Sequence, residues 1–331
     1  MNNTIVFLVC LGAVFIPTVL ISRYLIPVLK SKKMGQKILD IGPRWHKSKE
    51  GTPTMGGLAF LVSIIVVGSI FAVIYAMSEN AVSDRVAGIL LTLALGLTNG
   101  IIGIIDDLTK FKKAMNEGLT PPQKFLLQVL FAALYLVGMS SVGLLSTTVS
   151  IPFTEIVIDL GIFYYFIALI LITGLVNSVN LTDGIDGLCS MVSFVLGLFF
   201  FAVGLIFGNT VLCALGGMMC GGCAGFLVYN FYPARVFMGD TGSLFLGGLV
   251  AGGAFMLSEP FVIVLAGIIY IVETMSVIIQ VGSFKLTGKR VFKMSPIHHH
   301  FEKCDWSEIK IDIVFSIVSI IACAIAVLML K

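Results

Sequence analysis

Runs of Leu, Ile, Val and Phe recur along the whole chain with few polar breaks. A helix needs about 20 apolar residues to cross the hydrocarbon core of a bilayer. Ten windows meet that requirement, at roughly 4–29, 55–77, 86–106, 123–145, 161–179, 189–207, 210–229, 243–257, 260–282 and 309–330. The turns at Gly208 and Pro260 are very short, so the spans on either side of them are the least sharply bounded. The first window lacks a basic leader and a small-residue cleavage site, which marks it as a retained span rather than a signal peptide. One stretch has a different period. TTVSIPFTEIVIDLG (147–161) alternates polar and apolar positions, which predicts a short hairpin with Pro152 near its turn. The pattern therefore predicts an all-α polytopic membrane protein, a single integral domain over residues 1–331 with one short exterior hairpin.

Composition agrees. Of 331 residues, 58% are hydrophobic and 12% charged, against about 25% charged in soluble domains. The distribution of charge adds orientation. Lys30, Lys32, Lys33, Lys37, Arg44, Lys47 and Lys49 fall in one interspan segment, Lys110, Lys112, Lys113 and Lys124 in another, and Lys285, Lys289, Arg290, Lys293, Lys303 and Lys310 in a third. With ten spans, the segments 30–54, 107–122, 178–188, 230–242 and 283–308 share one face, and the opposite face holds only Arg85 and Lys331. The basic face is expected in the cytosol, which puts both termini outside. Most of the seven cysteines fall within spans. Cys220 and Cys223 form a CxxC without a second pair, and read as helix packing rather than a zinc or redox site.

The polar residues left over concentrate on the basic face. GIIDDLTK places Asp106 and Asp107 where the third span ends, NLTDGIDGL places Asp183 and Asp186 between the fifth and sixth, and FMGDTGS places Asp240 before the eighth. Asp183 and Asp240 each also read as a helix N-cap. Asp106 and Asp107 resist that reading, because a helix C-terminus disfavours anions. Converging carboxylates in an oxygen-rich site suit Mg²⁺, with waters and substrate phosphates completing its shell. Gly184, Gly187, Gly239 and Gly242 let backbone N–H groups approach a phosphate or base. Metal-assisted phosphoryl transfer at the membrane surface accommodates all of these features. KEGTPTMGG (49–57) is not a Walker A loop and reads as a Thr-Pro start to the second span. His298, His299 and His300 cannot all hold one ion from a regular helix, because adjacent side chains diverge. They read as a pH-sensitive or phosphate-facing cluster, or as a solvated turn.

GTPTMGG, GIIDDLTK, NLTDGIDGL, FMGDTGS and SPIHHHFE, in this order, resemble the phospho-N-acetylmuramoyl-pentapeptide transferases over essentially the whole chain. The resemblance implies a Mg²⁺-dependent enzyme of peptidoglycan synthesis at the cytosolic face of the bacterial cytoplasmic membrane. It would move the phosphosugar of UDP-N-acetylmuramoyl-pentapeptide onto undecaprenyl phosphate, giving lipid I and UMP. It further implies a homodimer with no nucleic-acid partner. By position, Asp106, Asp107, Asp240 and His298 match catalytic candidates, with Asp240 and Asp107 as metal ligands. Lys49, Thr54, Lys124, Asn180, Asp183, Gly184, Asp186, Phe237, Ser243, Gln280 and His299 match substrate-binding positions, with Phe237 stacking on the base. Direct attack by the lipid phosphate is favoured over a covalent aspartyl intermediate, because that phosphate is already anionic.

Three other readings stay open at this point. A polyprenyl-phosphate N-acetylglucosamine-1-phosphate transferase shares the aspartate boxes but differs at the histidine loop. A transporter places ionisable groups near the membrane midplane, and Glu273, inside the ninth span, is the one acid here that does so. A non-catalytic scaffold would tolerate aspartate substitution.

Overall fold

Backbone in hydrocarbon must satisfy its own hydrogen bonds, so long apolar segments close as helices. The computed structural model describes residues 2–32, 34–35, 49–78, 83–113, 118–151, 154, 156–257 and 259–330. Twelve helices are present among them: α1 (Asn3–Ser31), α2 (Leu58–Ala76), α3 (Ser83–Lys113), α4 (Pro121–Ser141), α5 (Ile162–Thr182), α6 (Leu188–Ile206), α7 (Thr210–Asn230), α8 (Gly239–Ala254), α9 (Ile263–Ala266), α10 (Ile268–Thr287), α11 (Ile297–Glu302) and α12 (Glu308–Met329). Nine of these, all but α8, α9 and α11, are long and apolar enough to cross a membrane. The protein is a multi-pass, all-α membrane protein.

The expected hairpin is present. β1 (Thr148–Ser150) pairs antiparallel with β2 (Val157–Asp159), with Thr148 opposite Asp159 and Ser150 opposite Val157. Pro152, the residue expected near its turn, lies outside the described residues, as do residues 36–48 of the first basic segment.

Two of the ten expected spans take another form. The eighth is only 16 residues, about 24 Å at 1.5 Å per residue, and every residue from Thr241 to Ala254 is buried. It is a central helix shielded from lipid by its neighbours. The ninth is broken: a 3₁₀ turn at Pro260–Val262 and the single turn of α9 stop at Gly267, and α10 begins after it. Gly208, at φ 62°, makes the tight reversal between α6 and α7, and the Asn209 side chain caps α7 by accepting from Val211 N and Leu212 N.

Helix ends alternate between two faces. At one, Arg85 donates to the Gly208 carbonyl, Thr210 to Asn3, and Ser150 N to Glu259. The other collects the C-terminal part of α3 and the starts of α4, α8 and α12, all joined by the contacts described below. Outward stripes such as Leu126, Leu130, Leu134 and Val137 on α4 are exposed at helical spacing, the surface expected against lipid chains rather than water. The core runs between α8 and α7, where α1, α3, α5 and α6 enclose them.

Candidate active site

The site originates in the contact between α3 and α8. Gly96, Gly100 and Gly103 form a stripe on α3, and a Cβ at Gly248 of α8 would stand only 2.8 Å from the Gly96 Cα. At Gly103 the approach is closer still. An added Cβ would fall on the Asp240 carbonyl and 2.6 Å from Thr241 N. Small residues thus bring the backbones together, and the next turn of α3 delivers Asp106 and Asp107 beside the first turn of α8.

Asp107 faces the unpaired N–H groups there. Its Oδ1 accepts from Asp240 N at 3.3 Å, and its Oδ2 accepts from Thr241 N at 2.9 Å and Thr241 Oγ1 at 2.7 Å. The capping role expected of Asp240 therefore belongs to Asp107, reaching across from another helix. Asp240 lies inside the first turn with its carboxylate free to turn to the site. Asp106 points elsewhere, accepting from Leu119 N at 2.7 Å through Oδ1 and meeting Lys110 Nζ at 2.6 Å through Oδ2. Carboxylate oxygens of Asp106, Asp107 and Asp240 all lie within 4.8 Å of one another. Asp106 and Asp107 do not end their helix as expected, since α3 continues to Lys113. Their charge is met instead by Lys110 and the start of α8.

Lys110 Nζ also lies 3.1 Å from Asp240, and Lys124 Nζ 2.9 Å from the same oxygen. Lys124 is held in the first turn of α4 by Pro121 and Pro122, which fit the helix start. Asn180 of α5 donates to Asp240 Oδ1 at 2.9 Å and to Ser243 Oγ at 2.8 Å. Three carboxylates against two lysines leave one net negative charge, in an all-oxygen donor set of the kind that hard divalent cations take.

Asp183 follows Asn180 as the C-cap of α5, not as the N-cap of the next helix; α6 starts at Leu188, with Gly187 before it at φ 85°. Lost solvation, helped by the charges of Asp240, Asp107 and Asp186, pushes the Asp183 carboxyl up to about 8. Asp186 is engaged in a second cluster. Its Oδ1 meets Lys49 Nζ at 2.8 Å, its Oδ2 accepts from Ala234 N at 2.9 Å, and its own N–H donates to Glu308 Oε2. Lys49 also pairs with Glu308 at 2.6 Å. The clasp joins the chain before α2, the α5–α6 turn and the start of α12.

The segment before α2 is more than a helix start. Phe237 N donates to Pro53 O at 2.8 Å, Gly56 N to Phe237 O at 2.9 Å, and Gly57 N to Met238 O at 3.0 Å, so residues 53–57 are bound along 237–238 by backbone hydrogen bonds. This lays Thr54 next to Gly239, where an added Cβ would stand 2.7 Å from both Thr54 Oγ1 and Asp107 Oδ2. Phe237 is half-buried on the same strip.

The histidines diverge as expected. His299 Nδ1 meets Glu302 at 2.6 Å, and His300 Nδ1 accepts from Lys293 N at 3.1 Å. His298 is fully buried, with Nδ1 3.0 Å from Glu273 Oε1. Gly184 lies against its ring: a Cβ there would stand 2.6 Å from His298 Cε1. Gln280 accepts from Val291 N and Phe292 N and donates to Phe292 O, so its amide pins the loop after α10.

Asp106, Asp107, Asp240, Lys124, Asn180 and Ser243 thus come together as expected, with Asp183, Thr54 and Phe237 alongside. Lys49 and Asp186 form an adjoining clasp, and Gln280, His298, His299 and Gly184 a third group. Sequence reasoning missed Lys110, Thr241 and Glu308. Lys110 carried a usable signal, four residues beyond Asp106 on one helix face; Thr241 and Glu308 carried none, because their partners are remote in sequence.

Residues 86–258 match the sequence pattern of Glycosyl transferase family 4, and residues 49–61 match Phospho-N-acetylmuramoyl-pentapeptide-transferase signature 1. The second covers the strip that carries Lys49 and Thr54. The chain is 44% identical over 326 residues to a phospho-N-acetylmuramoyl-pentapeptide-transferase of Clostridium botulinum (strain Eklund 17B / Type B), covering 98% of this chain and 96% of the relative. It is 44% identical over 320 residues to the protein of that name from Staphylococcus aureus (strain bovine RF122 / ET3-1), covering 96% and 97%. A third, from Clostridium perfringens (strain SM101 / Type A), is 43% identical over 312 residues, covering 94% and 93%.

Proposed function

The chain belongs to the phospho-N-acetylmuramoyl-pentapeptide-transferase family, and we propose that it transfers phospho-N-acetylmuramoyl-pentapeptide from the UDP-linked donor to undecaprenyl phosphate, releasing UMP and forming lipid I. The observation that carries this reading is the carboxylate triad with Lys110 and Lys124 at the mouth of the helix bundle. One phosphoanhydride replaces another, so the enzyme mainly aligns two anionic substrates and neutralises developing charge. The site faces the cytosolic side of the bacterial cytoplasmic membrane, on the basic face of the chain. The protein works as a homodimer, which light scattering in detergent tests.

Asp240 and Asp107, with Asp106 adjacent, would hold Mg²⁺, which supplies positive charge to the diphosphate oxygens when bound. The bonds from Asp240 N, Thr241 N and Thr241 Oγ1 fix the orientation of the Asp107 carboxylate for that role. Lys110 and Lys124 exchange Asp240 for substrate phosphate oxygens, as strongly hydrated ammonium groups on flexible stems readily do. Asn180 keeps Asp240 in place while they move. The lipid phosphate attacks directly, since it is anionic near neutral pH and needs little help from a base. Asp183, Gly184 and Asn180 receive the uracil end of the donor, and half-buried Phe237 stacks on the base.

The test is UMP release by purified protein in detergent with undecaprenyl phosphate and Mg²⁺. UDP-N-acetylmuramoyl-pentapeptide and UDP-N-acetylglucosamine are compared as donors. Turnover of the first alone, lost in Asp240→Asn, is expected. Turnover of the second would move the protein to the N-acetylglucosamine-1-phosphate branch. A labelled phosphosugar trapped on the protein without lipid would replace direct attack by a covalent intermediate.

A further inference from the structure

Glu273 is a fully buried acid to which the proposed function gives no role. It lies in α10 about two turns from Gln280, fully buried in a helix that crosses the membrane. An ionised carboxylate there is costly unless it is paired. Both of its oxygens turn to one residue: Oε1 lies 3.0 Å from His298 Nδ1, at ion-pair distance but out of line for a hydrogen bond, and Oε2 accepts from His298 N at 3.5 Å. The same acid thus holds both the ring and the backbone of His298.

The far side of that ring has an equally narrow fit. Gly184 has no side chain because His298 occupies the space: the ring stands where a Cβ would be. His299 packs across the ring, with centroids 4.1 Å apart. His298 Nε2 is fully buried and has no hydrogen-bond partner among the described residues. Gly184 itself lies between Asp183 and Asp186, four residues past Asn180. A contact path therefore runs from Glu273 through the imidazole to the turn that the proposed function assigns to the nucleotide. His298 matches a catalytic position in the sequence, and in this structure it is fully buried.

We propose that Glu273 is a positioning residue for the donor: its carboxylate keeps the Nδ1 proton and ring plane of His298 fixed, and the ring in turn sets the 180–187 turn. A purely space-filling role is disfavoured because an apolar side chain would fill the same volume without the desolvation cost of a buried charge. The inference rests on that turn receiving the nucleotide, so the test separates the two.

Glu273→Leu removes the acceptor and Glu273→Gln keeps one. Both variants are assayed for UMP release, with donor and lipid varied independently. Glu273→Leu is expected to raise the donor KM on the order of tenfold, with the lipid KM within about twofold of the parent protein. Glu273→Gln is expected to recover most of that loss. In combination with His298→Leu, Glu273→Leu should add nothing, because it acts through the ring. ¹⁵N-histidine NMR should show His298 protonated at Nδ1 in the parent and a mixed tautomer in Glu273→Leu. Should Glu273→Leu fail to purify folded, Glu273→Asp retracts the carboxylate by one methylene and carries the same comparison. Equal effects on both substrates, or additivity with His298→Leu, would overturn the inference. Asp183→Asn calibrates it. If Asp183→Asn raises the donor KM and Glu273→Leu does not, only the role of Glu273 falls. If Asp183→Asn leaves the donor KM unchanged, the nucleotide assignment of the turn falls first.

Discussion

Replacing Gly103 by Ala tests whether backbone proximity between α3 and α8 builds the acidic site. In an ordinary helix interior that change stabilises by about 1 kcal/mol, because alanine loses less backbone entropy. Gly12 and Gly174 are helical positions with nothing within 4 Å of an added Cβ, so Ala there is expected to be neutral or mildly stabilising. Gly103 is different. Its Cβ would meet the Asp240 carbonyl and stand 2.6 Å from Thr241 N, and both are backbone atoms that no rotamer change can move. Comfortable contact needs about 3.5 Å, so the helices must part by roughly 1 Å. Overpacking of that kind costs about 1–3 kcal/mol. It also stretches the three bonds that Asp107 accepts, at 3.3, 2.9 and 2.7 Å. Hydrogen bonds to a charged group are worth about 1.5–3 kcal/mol each. Losing one of them with the overpacking outweighs the propensity gain by roughly 1.5–5 kcal/mol. A displacement of about 1 Å at the reacting groups also costs on the order of 100-fold in rate. Thermal unfolding in detergent and UMP release read the two effects separately. A Gly103→Ala protein that unfolds and turns over like the Gly12→Ala and Gly174→Ala controls would refute the argument.

Three further outcomes follow from the same geometry. The Asp183 carboxyl, raised to about 8, keeps its proton at neutral pH in the substrate-free protein, so folding is favoured below the ordinary carboxyl range and that contribution is lost as pH rises through about 8. If Asp183 binds the base as a carboxylate, it first loses that proton. The donor KM should then fall by up to about tenfold per pH unit on approach to pH 8, and Asp183→Asn should abolish the slope. Mg²⁺ should move the inflection down by offsetting Asp107 and Asp240, and an unchanged slope in Asp183→Asn would refute the assignment. Lys49→Met removes the cation that bridges Asp186 and Glu308. It should destabilise by about 3 kcal/mol, and Lys49→Met combined with Glu308→Gln should regain part of that loss by urea-free thermal unfolding. Mg²⁺ should raise the melting temperature of the parent but not of Asp240→Asn, by about 2.7 kcal/mol of binding at a concentration 100 times its Kd.

Most of the fold was legible because hydrocarbon imposes one rule on every span, and apolar run length reports it. The rule failed where a helix is surrounded by protein. α8 is short and glycine-rich because helices, not lipid, cover it, and the run 260–282 conceals a break at Gly267 because apolar composition does not report an interruption of the helix. The acidic boxes were legible as a group, since their spacing put all of them on one face. Their individual roles were not. The reading of Asp240 as an N-cap used the residue nearest in sequence, whereas the N–H groups of α8 are satisfied by Asp107, 133 positions away from Asp240. Glu273 had no sequence-local partner at all, and only the return of α11 along α10 supplies His298.

The double use of Asp107 decides how the site should be dissected. Its carboxylate is at once a candidate metal ligand and the cap of the central helix, so Asp107→Asn changes the charge of the site and the hydrogen bonds of the fold together. Thr241 offers a way to separate the two effects. Thr241→Val removes the 2.7 Å bond from Oγ1 and leaves Thr241 N and Asp240 N in place, with all three carboxylates intact. If Asp107 acts chiefly by holding α8, Thr241→Val should lower the melting temperature and rate in proportion to each other. If it acts chiefly as a ligand, Thr241→Val should weaken Mg²⁺ dependence little, while Asp107→Asn raises the Mg²⁺ needed for half-maximal UMP release at least tenfold. Asp240 carries no capping bond, and its side chain meets Lys110, Lys124, Asn180 and the Asp106 carboxylate. Loss of activity in Asp240→Asn is therefore the cleaner report on chemistry, and the difference between it and Asp107→Asn measures what the helix start contributes.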